Sequence, residues 1–290
     1  MTALARVRTI DTLFRRLLPL LGPYREHLVI AGGMARDLYR YAPGYRDLGL
    51  TGAQTLDLDI ALDDPLQVCG ESHLHELLIN AGLRHVTSDA LRERPPFGLI
   101  LTPVAGRYYP AAIRTPQRTD PHVEFITQLR NTDSTANAHP QRDPLIAYTL
   151  DHVDLLLAAP LRIDVPGLGT VRIPHPLGYV LQKTLIRPER QRNRQNFAKD
   201  SADAFAVTVS MRAAWETWRP TFQQWLEHRQ YRDWMAQARS LWSRLYDRPN
   251  DPGAIEVSAA HPRYRPDDVV VIMRELREVL DQPHEQMPPR

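Results

Sequence analysis

Cysteine is nearly absent from this 290-residue chain, which holds only Cys69, so no disulfide can form within it and a reducing compartment is the expected setting. Lysine is nearly absent too. Of 36 basic residues only Lys183 and Lys199 are lysine, and the rest are arginine. A lysine kept in such a background points to a need for a compact ammonium in place of a planar guanidinium. Excess charge of one sign is also missing: the formal net charge is +2, so no global polycation announces nucleic acid. Long apolar runs are lacking, which excludes a membrane span. The N-terminal stretch "MTALARVRTIDTLFRRLLPLLGPY" is interrupted by arginines and reads as an amphipathic helix, not a signal peptide. A cytoplasmic protein without a membrane partner is expected.

What is present is an ordinary globular composition, 43% hydrophobic and 24% charged, in a chain long enough for two modest domains. Helical spacing of Val7, Ile10, Leu13, Phe14, Leu17 and Leu18 predicts a helix over 7–21. A strand is expected over 27–31, a helix over 34–41 and a Gly/Pro-rich loop over 41–54. The alternation in "TLDLDIAL" predicts a strand over 55–62. A helix follows over 71–81, with strands near 83–87, 98–102 and 122–127. Residues 131–144 read as a polar loop, and 152–176 as two or three strands around a glycine turn. From Pro176 onward the pattern is helical, with apolar faces near 177–186, 196–211, 214–228, 231–246 and 266–280. The layout is a mixed α/β or α+β half, residues 1–175, followed by a mostly helical half, residues 176–290.

Two stretches carry chemistry. In "LVIAGGMARDLYR", residues 28–40, an apolar run meets Gly32 and Gly33 and then a helix. Glycine lets a backbone approach a ligand closely, a helix start offers N–H groups to an anion, and Arg36 can add a charge-assisted bond to phosphate. The same residues also suit a tight packing turn with Arg36–Asp37 as a surface pair. In "TLDLDIALDD", residues 55–64, Asp57 and Asp59 share one strand face while Leu56, Leu58 and Ile60 share the other. Adjacent carboxylates repel, and a hard divalent cation offsets that repulsion. The alternative is the exposed face of an edge strand. A glycine turn after one strand, followed by Asp-x-Asp on the next, favours the phosphate-and-metal reading.

"GGMARDLYR…TLDLDIALDD" resembles the signature of the DNA polymerase β-like nucleotidyltransferase superfamily. The resemblance implies an α+β fold, a nucleotidyltransferase-like mixed sheet flanked by helices. It also implies transfer of a nucleotidyl group from an NTP with Mg2+ or Mn2+. The third carboxylate of the signature falls on Glu124 in "HVEFITQLR", with Asp120 as the other candidate, so Asp57, Asp59 and Glu124 become the metal ligands that the resemblance implies. Gly32, Gly33, Met34 and Arg36 become nucleotide contacts. Met34 stands where many relatives have serine, and a hydroxyl contact to phosphate is lost.

Within the superfamily, "AGGMARDL" and "VEFITQLR" are similar to class II tRNA nucleotidyltransferases. "HPLGYVLQKTLI" and "FAKDSADAFAV" more closely resemble AbiEii-type proteins, which include toxins of toxin–antitoxin pairs, and related minimal bacterial nucleotidyltransferases. That branch implies catalytic roles for Lys183 and Asp203, a nucleotide contact at Lys199, and an antitoxin protein as a possible partner. By spacing alone Lys183 can instead snorkel from an apolar helix, and Lys199–Asp203 can be a surface pair.

Arg187, Arg190, Arg192 and Arg194 form a basic segment, expected to be a loop after a helix break at Pro188, that either binds RNA phosphates or is solvated surface. Tyr108 and Tyr109 beside Arg107 either stack a base or pack inside. The acceptor is an RNA or tRNA 3′ end, a protein hydroxyl or a small molecule. The rival function is a non-catalytic nucleotide-binding or regulatory protein with the same fold. Met34 favours it, and the intact Asp57, Asp59 and Lys183 argue against it.

Overall fold

The computed structural model describes residues 9–50, 55–62, 66, 73–87, 106–114, 116, 120–128, 139–140, 145–192 and 197–282. The expected strand near 98–102 and Arg194 lie outside them. The chain divides into two compact units, Met1–Leu38 with Gln54–Pro174, and Tyr39–Ala53 with His175–Arg290.

In the first unit, α1 (Ile10–Leu17) starts at Thr9, whose hydroxyl accepts from Thr12 N, and buries Leu13, Phe14 and Leu17. A 3-10 segment takes the chain to β1 (Leu28–Ile30), which is followed by α2 (Gly32–Leu38) and, after the 39–53 segment, β2 (Asp57–Leu62). Next come α3 (Leu74–Asn80), β3 (Leu83–Thr87), β4 (Gly106–Pro110), β5 (His122–Gln128), β6 (His139–Pro140), β7 (Ile146–Leu150), α4 (Asp154–Leu157), β8 (Leu161–Val165) and β9 (Gly169–Ile173). Among the described residues seven strands form one mixed sheet in the order β1-β2-β5-β4-β3, with β7 pairing β5 and β6. The strands β8 and β9 form a separate hairpin.

The core explains why the sheet forms. Leu58, Ile60, Val123 and Phe125 are fully buried on one face. The acidic face opens with Asp57 and Asp59 and continues, by the period-2 alternation of a strand, into Ala61 and Ile126. Those two pack with Val29, Ala31, Val153 and Leu156. Carboxylates therefore occupy only the starting end of that face, and apolar packing closes the rest.

The second unit is helical: α5 (Pro176–Leu185), α6 (Arg187–Arg192), α7 (Ala198–Ser210), α8 (Trp215–Glu227), α9 (Arg229–Tyr246), α10 (Pro252–Ala260) and α11 (Pro266–Asp281). His175 caps α5 by accepting from Leu177 N, and burial lowers its pKa to about 4. Trp218, Trp242, Phe205 and Phe222 fill the interior, and Trp242 Nε1 donates to Thr184 Oγ1 at 3.0 Å. Residues 39–53, most of which fall in the loop expected over 41–54 of the first half, belong to this unit: Arg46 N donates to Ser210 O at 2.8 Å, and Arg263 bonds Leu48 O.

The structure also differs from the sequence expectations locally. Residues 187–192 fold as helix α6, because a proline in the first turn gives up an N–H that has no helical partner there. In the 152–176 stretch β8 and β9 are two strands around a glycine turn, as expected, and residues 154–157 form a helical turn. The strand β4 and the helix α10 were not foreseen. Among the described residues no helix is long and apolar enough to cross a membrane.

Candidate functional site

The turn between β1 and α2 fits only glycine. Gly32 has φ +59°, and a Cβ there would fall 1.9 Å from Asp59 Oδ2. A Cβ on Gly33 would fall 2.7 Å from Thr55 Cβ. The backbone of the turn thus lies directly on the start of the acidic strand, and Ala31 N donates to Asp59 O at 2.8 Å. Thr55 Oγ1 donates to Asp57 Oδ1 at 2.6 Å. Both aspartates are half-buried.

β2 and β5 run parallel, and their register sets Asp57 beside His122 and Asp59 beside Glu124. Glu124 is therefore next to Asp59 along the ladder. Its side chain has other partners. Arg107 Nε donates to Glu124 Oε1, and His122 Nε2 lies 3.2 Å from the same oxygen. His122 Nδ1 is 2.7 Å from Asp120 O, which can only accept, so Nδ1 is the donor there. Burial alone lowers the His122 pKa, but the Glu124 hydrogen bond and charge and the Asp120 carbonyl outweigh it and raise the pKa. Burial likewise raises Glu124, and the His122 bond with the Arg107 and His122 charges outweighs it, holding the carboxyl below its ordinary value.

These contacts decide how well the residues fit a divalent ion. Asp57 and Asp59 fit: two carboxylates share a face beside a turn with no side chains. Glu124 does not join them, and among the described residues no group of three or more His, Cys, Asp or Glu side chains is arranged to hold a metal ion. Asp120 contributes its carbonyl to His122.

The other expected nucleotide contacts in this unit are placed as follows. Arg36 is buried and turns back on its neighbour, with Nε and Nη2 at 2.9 and 2.7 Å from Asp37 Oδ1, the local pair that its sequence position allowed. Met34 is buried, so its side chain packs in the core. Tyr108 and Tyr109 are fully buried, against Phe125 and His122 respectively, which leaves neither ring for a base.

In the helical unit Lys183 Nζ donates to Asp200 Oδ1 at 2.6 Å, and Arg190 Nε lies 2.8 Å from Asp200 Oδ2. The lysine side chain is 10% exposed, so it does not snorkel into water. Lys199 is half-buried in the first turn of α7, and Asp203, one turn on, is buried. Arg187 is removed from the expected RNA-binding set. Its side chain is 4% exposed, and its two terminal nitrogens bond both oxygens of Glu256 at 2.6 and 2.7 Å, with Ser201 Oγ also at 2.7 Å. Arg190 is half-buried on Asp200, and only Arg192 of the described three is exposed.

Sequence reasoning missed Arg107, His122 and Asp200 as partners of the expected residues. Asp200 was visible in the pattern around Lys199. Arg107 and His122 gave no local signal, because their role comes from strand neighbours.

The mixed sheet carries a glycine turn closed on paired strand carboxylates, and a helical region follows it in the chain. A family model described as nucleotidyltransferase matches residues 14–228, well over half of the chain, and the protein belongs to that family. The fold is the α+β nucleotidyltransferase fold, which agrees with the sequence reading. Neither a curated protein nor a solved structure gives a match to the chain.

Proposed function

We propose that the protein moves a nucleotidyl group from an NTP to an acceptor hydroxyl, with Mg2+ or Mn2+ held at Asp57 and Asp59. The observation that carries this reading is the fit of Gly32 and Gly33 against Asp59 and Thr55. A turn free of side chains lets triphosphate oxygens approach the backbone at Gly32, Gly33 and Met34. Half-buried aspartates two residues apart are costly unless a cation is shared between them. When bound, the ion supplies charge for the leaving pyrophosphate and acidifies the attacking hydroxyl. Arg36, positioned by Asp37, adds a cation near the turn.

In the helical unit we assign Lys183 to phosphate, as the AbiEii-type pattern implies, with Asp200 fixing its ammonium and with Lys199 and Asp203 following on α7. Arg192 with Arg190 and Arg194 is the remaining basic set for an RNA acceptor, and a protein hydroxyl or small molecule is the other acceptor class. A toxin role with an antitoxin partner goes with the same pattern.

The test is incubation with each α-labelled NTP and either total RNA or cell lysate, then identification of what carries the label. Labelled RNA, protein or small molecule names the acceptor. NTP binding without any transfer would mark a non-catalytic nucleotide-binding member of the family.

A further inference from the structure

We infer that the cation site of this protein is built by two aspartates for a single divalent ion, and that Glu124 anchors Arg107 and does not ligate the metal. The inference rests on the metal-dependent reading above and specifies its ligand set.

The three carboxylates share a sheet face but have different neighbours. Asp59 lies against the glycine turn, with its Oδ2 where a Cβ on Gly32 would be. Asp57 takes the Thr55 hydroxyl at 2.6 Å, and Thr55 itself packs on Gly33. Both aspartates are thus tied toward the side of the β2/β5 pair where β1 and its turn lie. Glu124 bonds Arg107 on β4, which flanks β5 on the other side in the order β1-β2-β5-β4. It also takes His122 Nε2 at 3.2 Å. Register sets Asp59 and Glu124 side by side, yet Asp59 abuts the bare backbone of Gly32 while Glu124 is taken up by Arg107 and His122.

Moving Glu124 onto a metal would take its carboxylate away from a guanidinium whose side chain is only 14% exposed. Removing one member of a buried ion pair is strongly unfavourable. A hard ion such as Mg2+ has no need of that exchange, since one or two carboxylates with substrate phosphates and waters complete its shell. Arg107 then brings fixed positive charge to the part of the face where a second ion would otherwise be needed. Glu124 is a positioning residue that holds this guanidinium.

The test uses the full chain and Mn2+ as the probe, following free Mn2+ by electron paramagnetic resonance and folding by circular dichroism. The wild type is expected to bind one Mn2+ per chain. Asp59→Asn should weaken binding at least ~30-fold, and Glu124→Gln should stay within ~3-fold of wild type. Arg107→Met, which releases Glu124, should bind Mn2+ several-fold more tightly, a gain that loss of a merely structural pair does not produce. If Glu124→Gln unfolds, the Arg107→Gln/Glu124→Gln double variant, which removes both charges, replaces it and should bind like wild type. Two ions per chain, or loss in Glu124→Gln or the double variant equal to that in Asp59→Asn, would overturn the two-aspartate site and leave the metal-dependent reading standing. Absence of Mn2+ binding in the folded wild type would overturn both.

Discussion

In the sheet unit Asp57 and Asp59 stand half-buried on one strand, against a turn that only glycine can make. In the helical unit Asp200 is 4% exposed between Lys183 and Arg190, and Glu256 receives both terminal nitrogens of the buried Arg187. The same side-chain types are used, but differently. The helical groups meet opposite charge and tie α5, α6, α7 and α10 together. The strand aspartates are crowded with like charge, and the backbone beside them has given up its side chains. Basic residues in a segment thus say little about function until their burial is known. Gly32 pressed on the Asp59 carboxylate, with Gly33 pressed on Thr55, says more, because it leaves a bare backbone beside the acidic strand.

The comparison breaks most sharply at the acidic strand. Asp57→Asn or Asp59→Asn should reduce nucleotidyl transfer by about a thousandfold or more, equivalent to ~4 kcal/mol of barrier, with the melting temperature unchanged or raised because like-charge repulsion is relieved. Single-turnover transfer from labelled NTP, read beside a melting curve, checks both halves. In the helical unit the pattern inverts. Arg187→Met leaves Glu256 and Ser201 without their guanidinium and should cost about 3–5 kcal/mol of stability. Denaturant titration of that unit's tryptophan fluorescence would show it.

His175 sharpens the comparison through pH. Its folded pKa of about 4 is below the ordinary 6.5, so the unfolded chain takes up the proton first. Its contribution to stability is complete above pH 6.5, falls as pH drops, and is lost by about pH 4, in total on the order of 3 kcal/mol. Glutamine at position 175 should flatten that part of the stability profile. The smallest effect is expected at the turn. Gly32→Ala meets a left-handed φ and a contact with Asp59 Oδ2, and should cost about 1–3 kcal/mol of stability together with NTP affinity. Calorimetry with an NTP analogue measures the second loss.

The legible parts of the sequence were those governed by short-range geometry. Alternation in "TLDLDIAL" gave β2, apolar spacing gave α5, α7, α8, α9 and α11, and Gly-Gly before Asp-x-Asp gave the acidic face. What escaped depends on distant partners or on ambiguous residues. Arg107 reaches Glu124 across two strands 17 residues apart, and no local pattern encodes that pairing. Pro188 reads from sequence as a helix break, although proline suits the first turn of α6 equally well. Likewise the Pro-Gly start of α10 masked a helix. The 39–53 segment lacks regular spacing, so its place in the helical unit, through Arg46 and Leu48, could not be read locally.

The most direct measurement sets Asp59→Asn and Arg187→Met side by side, with transfer per folded molecule and unfolding free energy determined for each. Asp59→Asn is expected to keep at least wild-type stability and transfer no label, while Arg187→Met is less stable and its folded fraction transfers at the wild-type rate. Label transfer by Asp59→Asn at the wild-type rate would contradict the assignment of chemistry to the acidic strand.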